Sequence, residues 1–382
     1  MEKVRMAVIG VGGMGAYHAN YLRAGEVKGA ELTAVCDIDE SKLAKWSDLP
    51  TFKDSKELIR SGLVDAVLIA TPHYDHTTIG IDAMQLGIHV LTEKPIAVHK
   101  ADAERMIEAQ KAKNVVFAAM FQMRTEPLWK KIKQLVDNGE LGEIVRINWI
   151  VTDWFRTEAY YASGGWRATW RGEGGGVLLN QCPHNLDLLQ WIFGMPSRIR
   201  AFCRFGAYHD IEVEDQVSAY LEYPNGATGV FITSTGEAPG TNRLEVAGDR
   251  GKLVYENGKI SFTRNEVLAS EFLRTSPMAF AKPPIWNVDI PFSGERGGHK
   301  VITQNFVDAI LTGTPLIAPA AEGINSVEIA NCMLYSTWTD STVELPLDSA
   351  AYEAALKERI ATSRYVKKTV EKAEEDITTS FK

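Results

Sequence analysis

The sequence predicts an α/β protein. A doubly wound parallel (Rossmann) sheet comes first, followed by an α+β domain with a large, mostly antiparallel open sheet. Three observations carry this expectation. A glycine turn, Gly10-x-Gly12-x-x-Gly15, follows a short apolar run. Apolar runs then alternate with helix-patterned segments to about residue 120, the rhythm of βα units. Beyond that, β-patterned runs are joined by tight turns such as Tyr223-Pro224-Asn225-Gly226 and Glu256-Asn257-Gly258-Lys259.

Taken in order, residues 4–9 read as a strand buried on both faces, and residues 14–23 as a helix stopped by Gly25. A second strand, 31–36, ends on Asp37, about twenty residues past the third glycine. Gly10 allows the sharp turn out of the strand, Gly12 lets a pyrophosphate approach the backbone, and Gly15 lets the helix pack on the strand. The free N–H groups of Gly13 and Met14 and the positive helix end attract phosphate. Asp37, with Ile38 beside it, is placed for the adenosine ribose. A carboxylate there repels a 2′-phosphate, and no arginine follows in Ile38-Asp39-Glu40. The expected cofactor is therefore NAD in preference to NADP.

Helices are expected at 40–48, 55–60, 76–86 and 100–113, and strands at 64–70, 88–92 and 115–120. Ligands of such sheets sit at the carboxyl ends of the strands, which selects Thr71-Pro72-His73, Glu93-Lys94-Pro95 and Phe121-Gln122-Met123-Arg124. Lys94 is either a solvated lysine in a surface turn or an ammonium beside a substrate hydroxyl. The pattern changes near residue 122. A helix at 126–138 is followed by β runs at 144–152, 197–205, 216–223, 227–235, 242–247, 252–255 and 259–263. Helices at 297–312 and 322–338 are expected near the junction. A peripheral charged helix over 349–375, with the thin apolar stripe Leu356, Ile360, Val366, Val370, closes the chain. The expected division is 1–122 for the nucleotide, 123–345 for substrate and oligomerisation, and 346–382 for the last helix and tail.

Between the first β run and the next, Trp154, Arg156, Tyr160, Tyr161, Trp166, Arg167, Trp170 and Arg171 crowd together. Flat rings beside guanidinium donors suit sugars and polyols, although single tryptophans are as readily core packing. A glycine loop, 172–176, broken only by Glu173, leads to Asn180, Pro183, His184 and Asp187. Pro183 fits the first turn of a helix to residue 193, which leaves Asn180 as an N-cap or a ligand contact. His184 is either a structural histidine or a proton acceptor at neutral pH.

Composition narrows the class. The 382 residues are 45% hydrophobic and 24% charged, ordinary for a globular protein. A net charge of −8 without a basic cluster argues against nucleic acid and anionic membranes as partners. No apolar run of about eighteen residues is present, and the first strand begins too early for a signal peptide. Cys36, Cys182, Cys203 and Cys332 form no C-x-x-C pair, so neither a disulfide framework nor a zinc site is expected; no metal is. The expected location is the cytoplasm.

With these residues in view, the chain resembles the glucose–fructose oxidoreductase/inositol dehydrogenase/MocA family over about residues 1–340. The matching motifs are Gly10-x-Gly12-x-x-Gly15, Ala70-Thr71-Pro72…His76, Glu93-Lys94-Pro95, and Gly174-Gly175-Gly176-x-Leu178-x-Asn180-x-x-x-His184-x-x-Asp187. The resemblance implies NAD(P)-dependent oxidation or reduction of a sugar or cyclitol hydroxyl, with Lys94 and His184 as the catalytic pair. It implies cofactor contacts from the glycine turn, Asp37, Ile38, Thr71, His73, His76, Glu93, Lys94 and Gln122. Substrate contacts are expected from Arg124, Tyr160, Trp166, Arg167, Asn180 and Asp187. It also implies a homodimer or homotetramer through the second sheet. Two departures stand out. Asn180 replaces the aspartate that many members carry, and His73 replaces an asparagine. The rival readings are an NAD-retaining glycosidase acting by transient C3 oxidation and a non-catalytic NAD-binding regulator.

Overall fold

The computed structural model describes residues 2–368. A six-stranded parallel sheet holds β1 (Val4–Ile9), β2 (Ala30–Cys36), β3 (Thr51–Phe52), β4 (Ala66–Ile69), β5 (His89–Thr92) and β6 (Phe117–Ala119), in the order 3-2-1-4-5-6. Every pairing in it is parallel. The crossovers are α1 (Gly13–Arg23), α2 (Glu40–Leu43), α3 (Ser55–Arg60), α4 (His73–Gln85) and α5 (Lys100–Lys113). Strand order reverses between β1 and β4, the place where doubly wound sheets open a ligand crevice. Residues Val67, Leu68 and Ile69 are wholly buried, as strands covered by helices on both faces must be.

Several boundaries move. α4 begins at His73 rather than residue 76, because the chain enters the helix directly from Pro72. The helix expected over 40–48 is one α-turn plus a 3-10 turn, Ala44–Trp46, which turns Trp46 into the core.

The second body contains α6 (Pro127–Asp137), β7 (Ile144–Val151), α7 (Glu158–Ala162) and α8 (Pro183–Phe193). A run of strands follows: β8 (Arg198–Phe205), β9 (Glu214–Glu222), β10 (Thr228–Ser234), β11 (Asn242–Gly248), β12 (Gly251–Glu256) and β13 (Lys259–Asn265). The chain continues through α9 (Ala269–Thr275), β14 (Ile285–Ile290), α10 (His299–Thr312), α11 (Ala320–Thr339), β15 (Val343–Glu344) and α12 (Ser349–Thr362). Nine strands form one sheet in the order 14-13-12-11-7-10-9-8-15. All neighbours are antiparallel except β7 and β10. The edge strands β14 and β15 escaped the sequence reading. The second is two residues long, too short to carry a pattern, whereas the first does alternate, Trp286, Val288 and Ile290 against Asn287 and Asp289, and the alternation went unread.

Packing crosses the expected divisions. Ile302, Phe306 and Val307 of α10 belong to the core of the parallel sheet. α11 starts in that core at Ala320 and Val327 and ends in the second one at Ile329–Leu334. The last helix also departs from expectation. It stops at Thr362, and Val366 beyond it is exposed, so the stripe is Tyr352 and Leu356 with a partly buried Ile360. Tyr352 is fully buried and stacks on Trp338 with ring centroids 5.3 Å apart, so α12 is part of the second core rather than peripheral. Val370 and the rest of the expected helix lie outside the described residues.

Candidate active site

The glycine turn is built for a phosphate. Gly10 sits at φ +87°, and a Cβ there would meet the Ala70 carbonyl at 2.7 Å. A Cβ on Gly15 would fall 1.6 Å from the Gly10 oxygen, whereas Gly12 faces open space. No side chain caps α1, so the N–H groups of Gly13 and Met14 point out of the helix end. Asp37 closes the turn: Val11 N–H donates to its Oδ2 at 2.9 Å and Asp39 N–H to its Oδ1 at 2.9 Å. Ile38 is 90% exposed next to it, and the Lys42 ammonium stands 3.6 Å from Oδ1. Thr71 Oγ1, at the end of β4, is buried without a partner among the described residues. An uncapped helix end, an open Gly12, an inward Asp37 and an unpaired Thr71 hydroxyl fit a dinucleotide.

The Glu93-Lys94-Pro95 turn follows β5. Glu93 is buried and accepts from His18 at 2.7 Å. Burial alone raises its carboxyl, but the hydrogen bond and charge of His18 outweigh that and hold it well below the usual carboxylate range. His18 continues through the Tyr21 hydroxyl to Thr303 of α10, each step 2.7 Å. Lys94 crosses to the second body, its Nζ donating to the Asn180 carbonyl at 2.7 Å. The solvated-turn alternative therefore does not describe it. Burial lowers its affinity for a proton, and Arg167 and Arg156 act in the same sense against Glu93 and Glu173.

His184 stands one helical turn beyond Asn180, on α8. Its Nε2 lies 3.2 Å from Gln122 Nε2, while its Nδ1 and the Gln122 oxygen have no partner among the described residues. Burial, and then the charge of Lys94, hold the imidazole well below its ordinary range, so it is neutral at pH 7. Asn180 is not the helix cap; that position is Cys182, and no side chain caps it. Instead the Asn180 amide donates to Glu173, and its Oδ1 accepts from the Tyr160 hydroxyl at 3.2 Å. Tyr160 in turn accepts from Arg167 at 2.8 Å and from Gln181 at 3.0 Å. Arg167 lies 4.5 Å over the Trp166 ring and 4.7 Å over Tyr160, with Arg156 at 5.1 Å from Tyr160. Lys94, Gln122, His184, Asn180, Tyr160, Trp166 and Arg167 are thus gathered at the junction of the two bodies.

Four expected contacts are placed differently. Arg124 and Asp187 are each 1% exposed and form a two-pronged ion pair at 2.8 and 2.7 Å. Arg124 also bonds the Ile317 carbonyl at 3.1 Å and Glu322 at 2.5 Å. The pair ties α8 to the head of α11 and offers the cleft no free donor. His76 places Nδ1 2.8 Å from the Pro95 carbonyl and Nε2 2.9 Å from that of Thr71, which makes it a clamp between two strand-end loops rather than a cofactor contact. His73 faces the second body: its Nδ1 donates to the Glu173 carbonyl at 3.2 Å, and its ring meets Trp166 edge-on at 5.1 Å. Sequence reasoning missed Glu173, Gln181 and His18. Glu173 alone left a signal, as the one charge inside a glycine loop. Among the described residues no cluster of three His, Cys, Asp or Glu side chains is gathered as a metal ion requires, and no helix is long and apolar enough to cross a membrane.

Comparison with known proteins places this geometry in context. The NAD-binding Rossmann-fold pattern of the GFO/IDH/MocA oxidoreductase family matches residues 4–121, and its C-terminal domain pattern matches residues 129–254. The myo-inositol 2-dehydrogenase of Thermotoga maritima is 29% identical over 266 residues, which cover 66% of this chain and 75% of that protein. The levoglucosan dehydrogenase of Pseudarthrobacter phenanthrenivorans is 25% identical over 332 residues, 78% of this chain and 84% of its own. Among solved structures, the WlbA dehydrogenase of Chromobacterium violaceum, in complex with NADH and UDP-GlcNAcA, superposes with a TM-score of 0.79 at 25% identity, covering 91% of this chain and 97% of that one.

Proposed function

The chain belongs to the GFO/IDH/MocA family of NAD-binding oxidoreductases, and from that membership we propose that it moves a hydride between nicotinamide and a ring carbon bearing a hydroxyl. The substrate class is a sugar, sugar derivative or cyclitol, in keeping with the inositol, levoglucosan and UDP-sugar dehydrogenases it is similar to. The observation that carries this reading is the Lys94 side chain reaching out of the first body to the Asn180 carbonyl, one turn before His184.

The glycine turn, Asp37, Thr71, Gln122 and Glu93 are the residues proposed to hold the dinucleotide. A dinucleotide held there would supply the hydride acceptor or donor. The protein supplies position and proton handling. A neutral His184 is in the form that accepts the hydroxyl proton, and the Lys94 ammonium stabilises the alkoxide as that proton leaves. Tyr160, Asn180, Trp166 and Arg167 form the proposed sugar-binding wall. Asp37, turned into the glycine loop, supports NAD over NADP, although Lys42 nearby softens that preference.

The test is a panel of myo- and scyllo-inositol, hexoses, levoglucosan and glycosides, offered with NAD and with NADP. Accumulation of reduced nicotinamide with at least one polyol, faster with NAD, is the expected result. Cleavage of a glycoside with no reduced cofactor accumulating would replace this reading by the NAD-retaining glycosidase.

A further inference from the structure

Glu173 is the one charged residue between Gly172 and Gly176, and it is 1% exposed. An isolated carboxylate does not sit so deep unless its oxygens are occupied. Both are. Ala168 N–H donates to Oε2 at 2.6 Å, and the Asn180 amide donates to Oε1. Its main-chain carbonyl takes the hydrogen bond from His73. The flanking glycines make this inward turn feasible. Gly174 holds φ +81°, and a Cβ there would lie 2.1 Å from Val98. Asn180, its side-chain amide held by Glu173 on one side and Tyr160 on the other, presents the main-chain carbonyl on which Lys94 Nζ rests.

We propose that Glu173 is a positioning residue for the reaction: its buried carboxylate locks Asn180, and through Asn180 it fixes the ammonium of Lys94 over the cleft. The inference rests on the reading of Lys94 as the residue at the reacting hydroxyl. The charged groups around it set the direction of its effect. Glu173 faces Arg167, Lys367, Lys94, Tyr161 and Glu214. Lys94 faces Glu93, Glu173, Arg167, Arg156, His73, His184, His299 and the Cys182 thiol. Of these only Glu93 and Glu173 favour the protonated lysine, so removing the Glu173 charge makes Lys94 lose its proton at lower pH.

The experiment pairs kinetics with a readout independent of turnover. In E173Q, which keeps the shape but sets an NH2 donor against Ala168 N–H or the Asn180 amide in place of one accepting oxygen, kcat is expected to fall roughly 10- to 100-fold while NADH binding stays within about twofold. The pH midpoint for acylation of Lys94 by an amine-reactive anhydride, followed by mass spectrometry, is expected to drop by about half a unit. E173D keeps the charge and loses the reach to Asn180. It is expected to lower kcat and leave that midpoint in place, and it carries the test should E173Q fail to fold. Wild-type kcat in the variant that folds, or an E173Q midpoint equal to that of the wild type, overturns the proposal. If the wild type reduces no cofactor with any polyol, the function reading fails, and the Lys94 midpoint still decides the role of Glu173.

Discussion

Lys94 and His184 are the residues whose removal should separate chemistry from binding. Lys94→Ala is expected to cut turnover by about 10²- to 10⁴-fold, the span of a lost acid–base or charge-stabilising group, while NADH affinity changes little. Equal losses of both would assign Lys94 to cofactor binding instead. The pH profile gives a second reading. Burial and the charge of Lys94 hold His184 below 6.5, and burial holds Lys94 below 10.5, so both limbs of kcat/KM should lie on the acid side of those ordinary values. A limb above either value, measured under substrate-limited conditions, would contradict the environment described for that group. At the cofactor's other end, Asp37→Ser should raise kcat/KM for NADP relative to NAD, because it removes the charge that repels a 2′-phosphate and leaves Lys42 in place.

Elements are held by groups that the sequence pattern only partly disclosed. Glu214 opens β9 and is wholly buried, accepting from Gly176 N–H at 2.8 Å and Leu178 N–H at 3.0 Å, so one carboxyl staples the glycine loop to the second sheet. Burial outweighs those two donors and pushes it up from 4.5 to about 7. A carboxyl whose affinity for protons rises on folding stabilises fully below its unfolded value of 4.5, and that contribution fades as pH climbs through about 7. Urea unfolding from pH 4.5 to 8 should show the loss, on the order of 3 kcal/mol, and E214Q should flatten it. Because His184, held below 6.5, pulls the other way across this window, the comparison decides: wild-type and E214Q curves that run parallel would refute the assignment. The Arg124–Asp187 tie behaves differently. Asp187→Ala strands a buried guanidinium and should cost about 3–5 kcal/mol of stability.

At the scale of the whole molecule, the two sheets differ in how much of them the sequence disclosed. Five of the six strands of the parallel one were readable, because strands buried on both faces are unbroken apolar runs and the glycine turn marks where they begin; the two-residue edge strand β3 was not. The antiparallel hairpins at Asn225-Gly226 and Asn257-Gly258 were equally legible from turn chemistry. What stayed hidden depends on contacts between residues distant in the chain. The return of α10 to the first core, the burial of Arg124 against Asp187, and the grip of Glu173 on Asn180 have no periodicity to betray them. The site followed the same rule: Lys94 and His184 stood in motifs, whereas Gln181 and His18 acquire meaning only through partners distant in the chain, Tyr160 for the one and Glu93 for the other. The outer face of the second sheet leaves Phe202 60% and Tyr220 43% exposed on neighbouring strands. We propose this face as the contact between copies of the chain. Light scattering should report a dimer or tetramer that Phe202→Glu with Tyr220→Glu dissociates; an oligomer indifferent to both changes would place the contact elsewhere.

The central claim is hydride transfer from a ring carbon, and isotope transfer tests it without intermediaries. With a polyol deuterated at the reacting carbon, the deuterium should appear at C4 of the nicotinamide, one per molecule oxidised, and the transfer should slow by orders of magnitude in Lys94→Ala. Substrate consumed while the deuterium stays on its carbon or exchanges into water, with no label on the nicotinamide, would contradict the account.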